Sequence, residues 1–374
     1  MMECERCGNV SPRYFAIYRG KPVCRRCIGY TGEDASIDIT DRTVEAHLAF
    51  DLTPAQAEAS TSIKTAIKTK DVLVNAVCGA GKTELVYDTI AMYLSQSKTV
   101  GLAIARRQVV LQLAKRLASA FPTVHVQAIC EGQSSILNAQ LFIVTTHQLY
   151  RFHAAFDCLI LDEPDAFPFV GDPLLAGFAR KACRGHTIYL TATPDWMLRR
   201  KVKVGEMVEI RVNRRPHGHP LPEPHIIVVP YLIQILMLMR WMRTTPGRKL
   251  IFTPTIKMAG SLSKILKIPY VSSQSNDLED KIRRFIQTQE SSLISTTVLE
   301  RGVTFENVQV CVIGAHHKVF TPASLIQIAG RAGRSPAYPG GEVLFLCSKR
   351  TRNLRACLHT LVRANKDACY ASPP

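Results

Sequence analysis

Ala76-Val77-Cys78-Gly79-Ala80-Gly81-Lys82-Thr83-Glu84 follows the apolar run Val72-Leu73-Val74 and precedes Leu85-Val86-Tyr87. Strand, glycine loop and helix in that order are what a phosphate-binding loop requires. Gly79 and Gly81 let backbone N–H groups turn towards phosphate oxygens, and a helix starting at Lys82 and Thr83 adds the positive end of its dipole. Lys82 is expected to bridge the β and γ phosphates of a nucleotide and Thr83 to offer its hydroxyl to Mg²⁺, with Cys78, Ala80 and Glu84 completing the cradle. Glycine turns are common, and Ala76 stands where the strict pattern has glycine. A second segment narrows the reading: Leu161-Asp162-Glu163-Pro164-Asp165 ends another apolar run, so Asp162 would hold the Mg²⁺ through water and Glu163 would orient the attacking water. Together the two segments imply ATP hydrolysis.

The chain has 374 residues, enough for two or three domains with ample core. Its 47 Lys and Arg against 30 Asp and Glu give a formal net charge of +17. Such an excess favours a polyanionic partner, nucleic acid first. The start Met1-Met2-Glu3-Cys4-Glu5-Arg6 has no apolar stretch of the export kind, and the longest apolar segment, Ile226 to Met239, contains Pro230 and Gln234. It is shorter than the ~20 residues a bilayer-spanning helix needs. The expectation is a cytoplasmic protein with no transmembrane span of its own.

Cys4-x-x-Cys7 and Cys24-x-x-Cys27 are two knuckles at the spacing of a four-cysteine zinc site. Zinc takes four thiolates in a tetrahedron, and Tyr14, Phe15, Ile17 and Tyr18 between the knuckles suggest a hairpin too small to fold without its metal. The other eight of the 12 cysteines are scattered singly and read as reduced core residues. Arg6, Arg13, Arg19, Lys21, Arg25 and Arg26 make the finger basic, which leaves open whether it touches nucleic acid or protein.

Further along, Thr31 to Thr40 reads as a linker, and Thr53 and Pro54 open a helix as N-cap and first helical residue. Apolar runs at Val72 to Val77, Thr99 to Ala105, Leu141 to Val144, Cys158 to Leu161 and Ile188 to Leu190 alternate with helical stretches, the signature of a parallel sheet covered on both faces. Arg199 to Pro224, rich in Arg, Lys, Pro and His, would separate this lobe from a second set of runs at Lys249 to Phe252, Ser292 to Thr296, Gln309 to Ile313 and Val343 to Leu346. The expected fold class is α/β: two RecA-like lobes and an N-terminal zinc-ribbon-like finger. Its expected divisions are 1–40 for finger and linker, 41–212 for the first lobe and 213–374 for the second.

Gln327-Ile328-Ala329-Gly330-Arg331-Ala332-Gly333-Arg334 resembles the sixth motif of superfamily 2 helicases. The resemblance implies that Arg331 and Arg334 reach the γ-phosphate, where arginine stabilises charge in phosphoryl transfer. Ser295 to Val303 resembles motif V, Ile251 to Thr255 motif IV, Ala105-Arg106-Arg107 motif Ia, Thr145 to Leu149 motif Ib and Thr191-Ala192-Thr193 motif III. Gln56 matches the adenine-reading glutamine, and Gln327 and Gly302 join the nucleotide-binding set. The finger, Asp162 to Pro168, Gly218 to Pro222 and Val319 to Pro322 narrow the likeness to the ComFA family of late-competence ATPases over nearly the whole chain. That family implies a motor drawing single-stranded DNA through a membrane channel into the cytosol, alongside other cytosolic competence proteins, and allows a peripheral position on the inner membrane face.

Departures are modest: Cys78 replaces a threonine, and Pro164 replaces an aliphatic residue and removes one backbone donor. Nucleic-acid contacts are expected from Arg106, Arg107, Thr146, His147, Thr255 and Thr297 by their motif positions, tracking phosphates without reading sequence. Arg199, Arg200, Lys201, Lys203, Arg211, Arg214 and Arg215 form one basic run and Lys349, Arg350, Arg352 and Arg355 another; each is a further path or a solvated face. Two alternatives stand beside the translocase: a PriA-like or other superfamily 2 helicase in replication restart or RNA remodelling, and a non-catalytic zinc-finger DNA-binding scaffold. The intact set of lysine, carboxylates and arginines argues against the scaffold.

Overall fold

Alternating apolar runs and amphipathic stretches build two parallel sheets, each from a string of strand–helix units. The computed structural model describes residues 2–30, 44, 46–48, 51–132, 139–301 and 305–368; the expected linker at Thr31 to Thr40 lies outside them. Two compact units emerge, one of Met1–Ala76 with Gly81–Val212, the other of Val77–Ala80 with Asn213–Pro374.

The first unit opens with a hairpin, β1 (Phe15–Tyr18) and β2 (Lys21–Cys24), paired antiparallel from Phe15 opposite Cys24 to Tyr18 opposite Lys21. After it come α1 (Pro54–Ala66), β3 (Asp71–Ala76), α2 (Tyr87–Leu94), β4 (Val100–Ile104), α3 (Arg107–Ala120), β5 (Val126–Ile129), β6 (Leu141–Thr145), β7 (Phe156–Asp162), α4 (Pro173–Ala182), β8 (Cys183–Thr191), α5 (Trp196–Lys203) and β9 (Met207–Val212). The seven-stranded sheet runs in the order β5-β6-β4-β7-β8-β3-β9 and is parallel throughout. Burial on both faces explains why β4 and β6 carry no polar face.

Helix α1 begins as its sequence predicts. Thr53 is the N-cap with Pro54 behind it, and Thr53 and Gln56 close a reciprocal capping box. The basic stretch expected as a separator is instead ordered structure up to Val212. Asp195 caps α5 by accepting from the Leu198 N–H, and Met207–Val212 adds an edge strand against β3. Val208, Ile210 and Val212 alternate there with Glu209 and Arg211, a period-two pattern that the surrounding charge conceals.

The second unit contains β10 (His225–Val228), α6 (Tyr231–Thr244), β11 (Arg248–Phe252), α7 (Ile256–Leu266), β12 (Tyr270–Val271), α8 (Leu278–Gln287), β13 (Ser292–Ser295), β14 (Val308–Ile313), α9 (Pro322–Ala329), β15 (Val343–Cys347) and α10 (Arg352–Asp367). Its six strands are ordered β10-β15-β14-β11-β13-β12, again all parallel. Leu238 and Trp241 of α6, and Ala259 and Leu262 of α7, pack on Ile251, Ile294, Cys311 and Ile313 of the sheet. The apolar segment Ile226 to Met239 is thus split between β10 and α6. Among the described residues, no helix is long and apolar enough to cross a membrane.

Candidate functional site

In a parallel sheet every strand ends on the same side, and the loops that follow those ends form the binding edge. In the first sheet, β3 ends at Ala76 and runs into the glycine loop, β7 ends at Asp162, β8 ends at Thr191, and β3, β8 and β7 are neighbours. Asn75 pairs with Thr191 and Asp162 with Leu190, so the three segments leave the sheet side by side. On the far side of β7, Asp162 also pairs with Ile104, just before Arg106.

The loop has the backbone its glycines were expected to supply, with φ of 82° at Gly79 and 78° at Gly81. Lys82 Nζ lies 3.2 Å from the Ala76 carbonyl oxygen and donates to it. Thr83 leads into a 3-10 turn at Glu84–Val86, and regular α-helix begins only at Tyr87, later than the sequence suggests. The capping box holds Gln56 against this loop: a Cβ at Gly81 would approach its Nε2 to 2.7 Å. Gln56 is buried. Glu84 is buried too, ion-paired with Arg116 of α3.

Asp165 makes contacts that the sequence does not advertise. Thr191 Oγ1 donates to its Oδ1 and Thr193 Oγ1 to its Oδ2, both at 2.5 Å. Hydrogen bonds to a carboxylate contribute about 1.5–3 kcal/mol each. They tie the threonine motif after β8 to the acidic motif after β7. Glu163 itself sits at φ 54°, a left-handed turn that non-glycine residues rarely adopt.

Residues 77–80 belong to the second unit, and within it Cys78 Sγ donates to Gln327 Oε1 at 3.2 Å. Arg331 is buried, its Nε donating to the Glu300 carbonyl at 3.0 Å, and Arg334 Nε donates to the Gly330 carbonyl at 3.0 Å. Arg215 corrects the sequence reading. Grouped there with a surface basic run, it is 2 % exposed and donates to the carbonyls of Cys78, Gly330, Ala332 and Gly333. Charge counting found the cation but not its burial; the turn around Gly333, with φ of 63°, is what it holds. Gly302 lies outside the described residues.

The residues expected to meet nucleic acid all follow strand ends. Arg106 is the N-cap of α3 and Arg107 its first residue, with Arg107 Nε donating to the Glu131 carbonyl at 2.8 Å. His147 is exposed, whereas Thr146 beside it is 3 % exposed with its hydroxyl inside. On the second sheet Thr255 caps α7 by accepting from the Met258 N–H, and Thr297 begins a short 3-10 turn after β13.

At the hairpin, the four sulfurs of Cys4, Cys7, Cys24 and Cys27 lie within 4.8 Å of one another. Cys4 and Cys27 are 3.6 Å apart and Cys7 and Cys24 3.8 Å. A tetrahedral ion with ~2.3 Å bonds to sulfur needs edges of about 3.8 Å, so the set fits. Burial pushes the Cys7 thiol up to about 11 and raises Cys27 further. At Cys4 burial acts in the same sense, but hydrogen bonds from Cys7, Arg6 and Cys27 outweigh it and hold the thiol below its ordinary value. A cation between them would favour all four thiolates.

Comparison with known proteins accords with this geometry. Residues 49–195 match the family model for the type III restriction enzyme res subunit, and 228–336 match the helicase conserved C-terminal domain. The solved structure of S. cerevisiae Dbp5 bound to RNA and ADP BeF3 superposes with a TM-score of 0.59 at 18% identity, covering 84% of this chain and 92% of that one. RecG bound to a three-way DNA junction gives 0.60 at 18% identity, over 86% of this chain and 47% of that one. Both share the fold of two RecA-like lobes. Among curated proteins, Competence protein ComFA of Streptococcus pneumoniae is 38% identical over 98% of this chain and 90% of its own length. Competence protein ComFA of Bacillus subtilis is 34% identical over 94% of this chain and 83% of its own length. With helicase-type ATPase domains and likeness to ComFA along almost its entire length, the chain belongs to the ComFA family and is a nucleic-acid-dependent ATPase.

Proposed function

We propose that the protein is an ATP-driven single-stranded DNA translocase that helps bring transforming DNA into the cytosol during natural competence. The observation that carries this is the adjacency of the loops after β3, β7 and β8 in a chain whose full-length relatives are competence proteins. In this reading Gln56 recognises the adenine, Cys78 to Glu84 cradle the phosphates, and Lys82 bridges them. Thr83 and Asp162 hold Mg²⁺, which would supply charge neutralisation on the phosphates. Glu163 orients the attacking water. Arg331 and Arg334, with Gln327 beside them, supply positive charge as the γ-phosphoryl group transfers. The finger at 1–40 accompanies lobes at 41–212 and 213–374.

Arg106, Arg107, His147, Thr255 and Thr297 are proposed to follow the strand by its phosphates, as is Thr146 through its backbone. Other cytosolic competence proteins and a membrane DNA channel are the proposed partners, with the protein in the cytoplasm or peripheral on the inner membrane face. Steady-state ATP hydrolysis with single-stranded DNA, forked duplex and RNA, each at several salt concentrations, tests the reading. Stimulation by single-stranded DNA that fades with salt is expected. Preference for RNA or forked duplex would replace it with the helicase alternative.

Zinc is the proposed ion at the four cysteines, in a structural role because four thiolates leave no open position. Elemental analysis is expected to show one zinc per chain in the wild type and none in the double change Cys4→Ala with Cys24→Ala. Unchanged metal content would remove the zinc assignment.

A further inference from the structure

The hairpin is fixed to the first sheet's own core. Cys7, Cys24 and Cys27 share one apolar cluster with Leu175, Phe178 and Ala179 of α4. Tyr30 stacks edge-on against Phe178 and Tyr150, with ring centroids 4.9 and 5.4 Å away. Gly177 faces the Cys7 backbone so closely that any Cβ there would collide with the Cys7 carbonyl oxygen. Lys181 Nζ completes the join with an ion pair to Glu3 at 2.8 Å. Packing of this kind makes the finger part of the first unit.

A cleft of about 760 Å³ opens along this join, its floor taking in Cys4, Cys24 and Cys27 of the candidate metal site, so that only the part outside those sulfurs is open to a ligand. From the finger its wall includes Arg6, Phe15 and Lys21; from the lobe it includes Tyr150, Phe152 and His153. Tyr150 belongs to the 3-10 turn Thr146–Arg151, so the same turn carries His147 at its start and a cleft wall at its end. Phe15 and Tyr150 are half-buried, one side of each packed on the apolar cluster and the rest on the cleft wall, Lys21 and His153 are exposed, and the Arg6 guanidinium lies 6.0 Å from the Tyr150 ring centre. Of the two acids on the wall, Glu3 is already paired with Lys181, leaving Glu5 against three basic side chains. Aromatic rings interleaved with cations are the composition that holds unpaired nucleotides: rings meet bases and cations meet phosphates.

We infer that this cleft is a single-strand binding subsite that receives the nucleotides next to those held by the Thr146–Arg151 turn, Phe15 and Tyr150 meeting bases and Lys21 and His153 meeting phosphates. The inference rests on the translocase reading and extends the strand's path from the lobe onto the finger.

The test is fluorescence anisotropy with a length series of oligo-dT and oligo-rU, comparing zinc-loaded wild type with Lys21→Glu/His153→Glu. Both side chains are exposed, and elemental zinc and thermal melting check that the finger stays folded. The wild type is expected to gain affinity with length beyond the point at which the variant stops gaining. On long oligonucleotides the variant should bind about three- to tenfold more weakly, with a salt slope reduced by roughly one. On the shortest ones the two proteins should bind alike, and the conservative single change Lys21→Arg should keep the long-strand gain. The dT and rU arms tell which kind of strand the cleft accepts. Equal affinities at all lengths would overturn the subsite and leave the cleft free for a protein partner, while the translocase reading stands. A wild type that binds no strand of any length would defeat both.

Discussion

Lys82→Ala is expected to lower kcat for ATP hydrolysis at least ~10²- to 10³-fold, to background, while the protein remains folded. The size follows from what the ammonium does: a preorganised charge aimed at the transferring phosphoryl group acts where charge develops, and removing one such donor costs that much. The fold is spared because, among the described residues, Lys82 Nζ is held by a hydrogen bond to the Ala76 carbonyl and little else depends on it. A net contribution of about 1.5–3 kcal/mol for a bond from a charged donor moves the melting temperature of a chain this long only by several degrees. Steady-state turnover with thermal melting of the same preparation checks both halves. Normal hydrolysis by the folded variant would refute the assignment of the loop.

Arg334→Ala should be nearly as severe, about 10³-fold in kcat, with little change in the KM for ATP. An arginine that meets the γ-phosphate contributes mainly in the transition state, so its loss appears in turnover and not in ground-state binding. Arg334 suits the experiment better than Arg331. Its Nε bond to the Gly330 carbonyl lies within its own turn, and it is half-buried, whereas Arg331 is 1 % exposed and bound to the Glu300 carbonyl. Truncating Arg331 would therefore confuse lost catalysis with lost packing. Steady-state kcat and KM with nucleotide-analogue binding separate these; undiminished kcat in Arg334→Ala would exclude that arginine from the reaction.

Much of this was legible in the sequence because the physics behind it is local. A continuously apolar strand, a glycine loop and a helix advertise themselves within a dozen or so residues. Val72 to Val77 became Asp71–Ala76, and Cys158 to Leu161 became Phe156–Asp162. The knuckles likewise announced four sulfurs, which do converge. What stayed hidden depends on partners distant in the chain. Arg215 reads as one more cation until the turn at Gly330 to Gly333 closes around it. Asp165 reads as a spare acid until Thr191 and Thr193 reach it from the next strand. The edge strands Val126–Ile129 and Met207–Val212 were missed because a strand with one neighbour needs fewer apolar residues. Gly177 carries no signal of its own in the sequence, and only the docked finger shows why no side chain fits.

The central claim is that ATP hydrolysis moves this protein along a single DNA strand. It is tested most directly by ATP-dependent displacement of streptavidin from oligonucleotides biotinylated at the 3′ or the 5′ end. The account predicts displacement from one end only, requiring hydrolysable ATP and absent in Lys82→Ala. ATP hydrolysis stimulated by the strand without displacement from either end would contradict it.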